Sequence, residues 1–202
     1  MIERARLEKI KKLMLKEHDF FEFLARGRRG FVYKIMPDLI VKVERDDIGS
    51  QGSIENEYNM LEQLKDYDYF PKIIKYNKSL RFLVREFVKG DLIEKYLHEQ
   101  SIILECLKMC RILDIKGINQ GELTNPFKHI FVNNGKIMMI DFERAKPANN
   151  PKNVSQFVQY LIRNKAVKKS AELISAVKKY KNSCSDKIFN DLFLFVKLNF
   201  IH

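Results

Sequence analysis

The spacing of apolar residues predicts a short leading helix, then mainly strands, then mainly helices. Residues 3–17 have Leu, Ile and Met at helical intervals, as in a basic amphipathic helix. Residues 20–34 are typical of a strand, a turn and a second strand, while 39–43 and 81–88 are apolar runs typical of single strands. Between these runs, Ser53 is placed to cap a second helix.

The second half of the chain carries its own start and stop signals. Ser101 can cap an apolar helix that Gly117 would end. The Asn134-Gly135 pair lies between two apolar runs, which is a strong signal for a β-hairpin. From Val154 onward the apolar spacing is helical. Antiparallel strands followed by helices predict an α+β fold.

The composition is that of an ordinary globular protein, with 46% hydrophobic and 31% charged residues among 202. No apolar run approaches the roughly 18–20 residues that span a bilayer. The N-terminus lacks the apolar region of a secretory signal. We therefore expect a cytoplasmic protein with no membrane partner. Its three cysteines are too few for a disulfide framework and lack metal-site spacing. Cys106 and Cys110 lie four residues apart on one predicted helix, and we expect them to be small core residues in a reducing compartment.

The net charge of +11 is unevenly distributed. Residues 151–202 carry ten Lys and Arg against three Asp and Glu, a net charge of +7, whereas residues 1–150 carry a net charge of +4. A basic C-terminal segment fits an acidic partner such as RNA or an acidic protein surface. A solvated, lysine-rich surface is the alternative, because no RNA-binding motif accompanies these lysines.

Candidate chemistry is concentrated in separate segments that follow one another in a fixed order. Residues 25–34 contain a glycine-bearing turn, and Lys42 lies in an apolar run typical of a buried strand. Residues 120–123 read Gln-Gly-Glu-Leu and residues 140–145 read Ile-Asp-Phe-Glu-Arg-Ala. Phosphoryl transfer from ATP needs backbone N–H groups and a lysine at the phosphates, a metal, and a carboxylate that orients the acceptor hydroxyl. The segments supply a candidate for each part.

In this order the segments resemble the motifs of protein kinases. Residues 25–34 match Gly-x-Gly-x-x-Gly-x-Val with Ala25 in the place of the first glycine. Protein kinases carry His-Arg-Asp-Leu and Asp-Phe-Gly, and the first motif reads His-Gly-Asp-Leu in small atypical kinases of the RIO and KEOPS-associated type and in sugar kinases. The chain has Gln120-Gly121-Glu122-Leu123 and Asp141-Phe142-Glu143. Over residues 20–165 it resembles a small, archaeal-type atypical serine/threonine kinase.

The resemblance implies a fold as well as an activity. It implies a single kinase-like domain over residues 1–202, of the α+β class and bilobal. An N-terminal helix would occupy 1–18, an antiparallel β N-lobe 19–88, and a reduced helical C-lobe 89–202. The short stretch between Asp141 and the next helix leaves no room for a long activation segment.

The resemblance also assigns roles to individual residues. The cofactors that the resemblance implies are ATP and either Mg²⁺ or Mn²⁺. The residues assigned to the nucleotide are Gly27, Gly30, Val32, Lys42, Glu57, Glu86 and Val88. Lys42 is the phosphate-binding lysine, and Glu57 is expected to pair with it in preference to Glu55 or Glu62. Asp141 is assigned to the metal and Glu122 to the acceptor hydroxyl, so Glu122, Lys42 and Asp141 form the catalytic set.

Several positions depart from the family pattern. Glu122 stands where the catalytic Asp is found and is longer by one methylene, which matters at the scale of a catalytic contact. The second metal ligand, Asn in protein kinases, aligns with His129, and Asn125 is the alternative. Arg85 occupies a place at which an apolar residue is usual, and Glu143 replaces a glycine.

These features favour an ATP-dependent phosphotransferase acting on a hydroxyl acceptor, which we expect to be a protein. The substitutions at and around Glu122 motivate a second hypothesis, a nucleotide-binding scaffold without turnover. The basic C-terminal segment motivates a third, an RNA-associated factor that uses ATP as a switch. A small-molecule kinase is a further alternative, although the short helical part leaves little room for a dedicated substrate pocket.

Overall fold

The computed structural model describes residues 2–201 and divides the chain into two compact units. The first unit ends at Val88 and also includes Ile140–Arg144. The second unit includes Lys89–Met139 and begins again at Ala145. That both belong to a single kinase-like domain remains a prediction.

The first unit is built on an antiparallel sheet with the strand order β1-β2-β3-β5-β4. Its elements are α1 (Arg4–Met14), β1 (Glu22–Arg26), β2 (Gly30–Met36), β3 (Leu39–Glu44), α2 (Ser53–Gln63), β4 (Ile73–Asn77) and β5 (Phe82–Glu86). The helix, strands and second helix expected in this part of the sequence are all present, with ends that differ by a few residues.

The two faces of this sheet bury different kinds of side chain. One face packs against α1 through an apolar cluster: Ile10, Met14, Tyr33, Ile35, Val41, Val43, Phe82 and Val84. Successive side chains of a strand point to opposite faces. Lys42 and Arg85 therefore lie on the other face, where each is buried. A buried cation needs a partner, so the alternation of these strands already requires carboxylates on that side.

The predicted N-cap at Ser53 is wrong by one position. Ser53 is the first residue of α2, and Gly52 precedes it with a φ of +76°. The acceptor comes instead from β3, because Glu44 accepts hydrogen bonds from the Ile54 N–H at 3.1 Å and from the Ser53 hydroxyl at 3.4 Å. A carboxylate at a helix N-terminus satisfies an exposed N–H and complements the helix dipole.

The second unit is mainly helical. Its elements are β6 (Asp91–Leu92), α3 (Gln100–Ile115), β7 (Ile118–Asn119), β8 (Ile130–Asn133), β9 (Lys136–Met139), β10 (Lys146–Pro147), α4 (Asn153–Arg163), α5 (Ala171–Asn182) and α6 (Asp186–Leu198). The short strands pair as β6-β8-β9 and β10-β7. Together with the sheet of the first unit, these helices confirm the α+β class.

The turn signals of the second unit are largely confirmed. Asn134 and Gly135 both have positive φ and join β8 to β9 as a tight hairpin. Gly117, with a φ of +67°, follows the end of α3. The predicted cap at Ser101 is wrong, because α3 begins one residue earlier and Glu99 holds the capping position without a side-chain hydrogen bond.

Helix α3 is the buried helix of the second unit. Cys106 and Cys110 both lie on it with no exposed surface, and burial raises the pKa of each thiol. The expectation that they are core residues is confirmed. Over residues 2–201, no helix is both long enough and apolar enough to cross a membrane.

Candidate functional site

The centre of the first unit's polar face is an ion pair between β3 and α2. The ammonium of Lys42 lies 2.5 Å from Oε2 of Glu57, and the Glu57 side chain has no exposed surface. The two competing carboxylates of α2 form surface pairs, Glu55 with Lys78 at 2.8 Å and Glu62 with Lys65 at 3.6 Å. The structure therefore places Glu57 at the position that the sequence assigned to it.

Two further carboxylates approach the same ammonium. Nζ of Lys42 lies 3.7 Å from Oδ1 of Asp141 and 3.4 Å from Oε2 of Glu143. The carboxylate oxygens of Glu57, Asp141 and Glu143 lie within 4.8 Å of one another. Sequence reasoning treated Glu143 only as a replaced glycine and missed it as a member of the cluster. The signal visible in the sequence was the spacing of Asp141 and Glu143, two acids that flank an apolar Phe142 and so lie close together along the chain.

The Asp141–Glu143 segment is held on the first unit by contacts on both sides. The ring of Phe142 is buried and packs edge-on against Phe70 with centroids 5.6 Å apart. The side-chain amide of Asn56 donates to the carbonyls of Phe142 and Glu143 at 3.1 and 3.2 Å. Asp141 has a φ of +72°, a left-handed conformation that costs energy for a residue other than glycine. Such strain is typical of functional positions.

Arg85 belongs to this cluster, which accounts for a polar residue at a place where an apolar one is usual. Its side chain is 4% exposed, and Nε lies 3.5 Å from Oε1 of Glu57. Glu57 is thus held between two cations, Lys42 and Arg85. Arg85 also donates to the backbone carbonyl of Glu86 at 2.9 Å. This hydrogen bond uses one acceptor position of that carbonyl, and Glu86 is one of the residues assigned to the nucleotide.

The charges of the cluster do not balance. Lys42 and Arg85 face the carboxylates of Glu57, Asp141 and Glu143, so with all groups ionised the cluster carries one net negative charge. Burial alone would lower the pKa of Lys42, but the three carboxylates outweigh it and raise that pKa. Burial raises the pKa of Glu143; Lys42 opposes this rise and the other two carboxylates add to it. Lys42 is therefore firmly charged at neutral pH.

The glycine-bearing turn lies between β1 and β2. The Gly27 N–H donates to the Gly30 carbonyl at 2.9 Å and closes the turn. A Cβ on Gly30 would meet the Val43 carbonyl oxygen at 2.9 Å, so only glycine allows this approach of β2 to β3. Val32 follows on β2, directly opposite Lys42 in the register. Val88 is buried and is the last residue of the first unit before the chain enters the second unit.

The second unit contains the remaining catalytic candidates. Glu122 and His129 form a pair, with Oε2 and Nε2 separated by 2.9 Å and side chains that are 25% and 17% exposed. Asn125, the alternative metal candidate, donates its backbone N–H to the Glu122 carbonyl at 2.9 Å. The Glu122 N–H donates to the side-chain carbonyl of Gln120 at 2.8 Å. The Glu122 loop is therefore ordered by short local contacts.

A buried network connects this loop to the helices of the second unit. Asn153, the first residue of α4, accepts from the Gln120 N–H at 3.0 Å and donates to the Ile118 carbonyl and to Asp114. Within the part of the chain that the structure describes, Asp114 accepts four hydrogen bonds, from the backbone and side chain of Asn153, from the Val154 N–H and from the Tyr180 hydroxyl. Sequence reasoning missed this network, although an Asp within the apolar helix α3 was a visible signal.

The resemblance implies a divalent cation, and the donor set of the first unit fits one. Asp141, Glu143 and Glu57 offer clustered carboxylate oxygens, which are the ligands that Mg²⁺ and Mn²⁺ prefer. Because Glu57 is already engaged by Lys42 and Arg85, Asp141 and Glu143 are the better candidates. Ligation by His129 remains a prediction, since its Nε2 faces Glu122.

Comparison with known proteins gives a fold but no family. No family model matches the chain, and no curated protein sequence matches it. Among solved structures, the ADP-bound aminoglycoside phosphotransferase APH(2'')-Ib is similar with a TM-score of 0.52 and 12% identity, over 100% of each chain. The streptomycin–ATP complex of APH(2'')-IIa has a TM-score of 0.48 and 12% identity, again over 100% of each chain.

The first of these likenesses shows that the chain has a protein-kinase-like α+β fold, as the sequence motifs predicted. The narrower resemblance to the RIO and KEOPS-associated kinases remains a prediction, because the similar structure with the higher TM-score is an aminoglycoside phosphotransferase.

Proposed function

We propose that the protein is an ATP-dependent phosphotransferase that transfers the γ-phosphoryl group of ATP to a hydroxyl acceptor. The observation that carries this proposal is the buried Lys42–Glu57 pair with the Asp141 and Glu143 carboxylates on the same ammonium. A buried lysine that is held charged beside a carboxylate set suited to Mg²⁺ is what nucleotide phosphates require. The similar structure of an aminoglycoside phosphotransferase is ADP-bound, which adds support.

In this proposal each part of the chain has a defined role. Lys42 binds the phosphates, Glu57 fixes Lys42, and the turn with Gly27 and Gly30 covers the phosphates. Asp141 would hold the metal, which when bound offsets phosphate charge. Glu122 orients the acceptor hydroxyl and takes its proton as the oxygen bonds to the γ-phosphorus. The bond from that phosphorus to the bridging oxygen breaks, and ADP leaves with the bond's electron pair.

For the acceptor we propose a serine or threonine hydroxyl of a protein. A small-molecule hydroxyl is the second candidate, because a structurally similar protein is an aminoglycoside phosphotransferase. The basic segment 151–202, with its net charge of +7, suits an acidic partner in either case, and RNA belongs among the candidates. Loss of RNA binding with added salt would be the signature of that partner.

The proposed activity is tested with γ-labelled ATP and Mg²⁺ or Mn²⁺, using generic protein acceptors and aminoglycosides in parallel. The variants are Asp141→Asn and Glu122→Gln, with Glu62→Gln as a matched control on the surface of α2. We expect transfer by the wild type and the control, and a loss of about 100-fold or more in the other two, since a positioned carboxylate contributes at least that much. Transfer that survives in Asp141→Asn would contradict the proposal. ATP binding without any transfer would favour the scaffold hypothesis.

A further inference from the structure

Glu143 lies where the nucleotide phosphates would have to bind. An ammonium group has three N–H donors, and three carboxylates surround that of Lys42 within 3.7 Å. Glu57 is the permanent partner, since Arg85 holds it from the other side. A phosphate oxygen that reaches Lys42 therefore competes with Asp141 and Glu143 for this ammonium group. Of these two, Glu143 is nearer to Lys42 and less exposed, at 8% against 31% for the Asp141 side chain.

The backbone of Glu143 is fixed by hydrogen bonds, while its carboxylate lies in an ion pair with Lys42. Its carbonyl accepts from the amide of Asn56 at 3.2 Å and from the guanidinium of Arg29 at 3.3 Å. Arg29 belongs to the glycine-bearing turn, so a hydrogen bond to this carbonyl joins the turn to the Asp141–Glu143 segment. A glutamate side chain can change rotamer without moving these backbone contacts. The carboxylate can thus leave Lys42 while the segment stays in place.

Electrostatics opposes a nucleotide in the cluster as it stands. With Lys42, Arg85 and the three carboxylates ionised, the cluster carries one net negative charge. A nucleoside diphosphate brings about three further negative charges into a partly buried site, where repulsion is weakly screened. A divalent cation changes the sign of the cluster's charge and offers Glu143 an alternative partner.

We propose that Glu143 is an internal competitor for the nucleotide phosphates, which makes nucleotide binding depend on a divalent cation. Without the cation, the Glu143 carboxylate stays on Lys42 and blocks the phosphates. With the cation, Glu143 joins Asp141 as a ligand and Lys42 becomes available. This inference rests on the proposed function, because it takes Lys42 to be the phosphate-binding lysine.

The test is the equilibrium binding of ADP and of adenosine to the full chain, in Mg²⁺ and in EDTA. Glu143→Gln keeps the shape of the side chain and removes its charge, and Glu62→Gln makes the same change on the surface of α2. Circular dichroism first establishes that each variant is folded. If Glu143→Gln does not fold, Glu143→Gly replaces it, since glycine occupies this place in protein kinases.

In EDTA, we expect Glu143→Gln to bind ADP at least about tenfold more tightly than the wild type, because a like charge beside the phosphates is removed. For Glu143→Gln, the ratio of the ADP affinity in Mg²⁺ to the ADP affinity in EDTA should fall toward one. Adenosine has no phosphate, so its affinity should be the same in the wild type and in both variants. The Glu62→Gln control should behave as the wild type throughout.

Two results overturn the inference in distinguishable ways. If the wild type binds ADP equally well in Mg²⁺ and EDTA, or if Glu143→Gln binds ADP no better than the wild type in EDTA, Glu143 is not a competitor and the proposed function stands. If neither ADP nor adenosine binds to any variant in either condition, the proposed function fails and this inference fails with it.

Discussion

Asn153→Ala should be among the most damaging single substitutions in the second unit. Asn153 is wholly buried at the start of α4, where its amide joins three partners. It accepts from the Gln120 N–H at 3.0 Å and donates to Asp114 at 2.7 Å and to the Ile118 carbonyl at 2.6 Å. The alanine variant removes all three hydrogen bonds. It leaves the Gln120 N–H and the Ile118 carbonyl buried without these hydrogen-bond partners.

The expected cost follows from these contacts. A net value of about 1 kcal/mol for each hydrogen bond, plus the desolvation penalty of the buried groups left behind, predicts a loss of about 3–5 kcal/mol in the free energy of unfolding. Asn164→Ala is the matched control, because Asn164 follows the other end of α4 and, among the described residues, its amide donates one hydrogen bond, to the Tyr160 carbonyl at 2.9 Å. It should cost about 1 kcal/mol or less.

Urea denaturation followed by far-ultraviolet circular dichroism measures both variants; the chain has no tryptophan to report unfolding by fluorescence. The Asn153→Ala variant should also transfer phosphate poorly under conditions in which it is still folded, because Gln120 positions the Glu122 backbone. A cost within about 1 kcal/mol of the Asn164→Ala control would refute the reasoning.

Three further predictions address the other contacts. Arg85→Met removes one of the two cations on the buried Glu57 carboxylate and should lower the free energy of unfolding by about 3 kcal/mol in chemical denaturation, because Glu57 stays buried; an unchanged value would contradict the pairing. A thiol reagent followed by mass spectrometry should label Cys184 well before the buried thiols of α3, and labelling of α3 in folded protein would show that helix to be open. His129→Gln should lower phosphotransfer about tenfold with little change in stability, because His129 fixes the Glu122 carboxylate; unaltered transfer would exclude that role.

The elements of this fold were predictable where the chain carries strong local signals. The hairpin at Asn134 and Gly135 and the stop at Gly117 are set by positive φ, which sequence identifies through glycine and asparagine. The cap of α2 was mispredicted because its determinant is not local. At α2 the capping carboxylate of Glu44 comes from the neighbouring strand, which the spacing around Ser53 cannot reveal.

The site was predictable to the extent that it follows the kinase motif order. The order of Lys42, Glu57 and Asp141 predicted one shared site, and the structure brings these three together. The roles assigned to them remain predictions. Glu143 and Arg85 were visible only as departures from the pattern. The role of Arg85 depends on the face of the sheet on which its side chain lies. The role of Glu143 depends on the side of the Asp141–Glu143 segment on which its carboxylate lies. Tertiary packing determines both.

The central claim is that the buried Lys42 cluster binds the phosphates of ATP. Calorimetric titration of a non-hydrolysable ATP analogue with Mg²⁺ into the wild type, Lys42→Met and Lys75→Met tests it most directly. Lys75 pairs with Glu17 on the surface at 2.8 Å and supplies the matched control. We predict that Lys42→Met, if folded by circular dichroism, weakens binding at least about tenfold, as loss of a buried phosphate contact requires, while Lys75→Met binds as the wild type. Equal binding by all three proteins would contradict the claim.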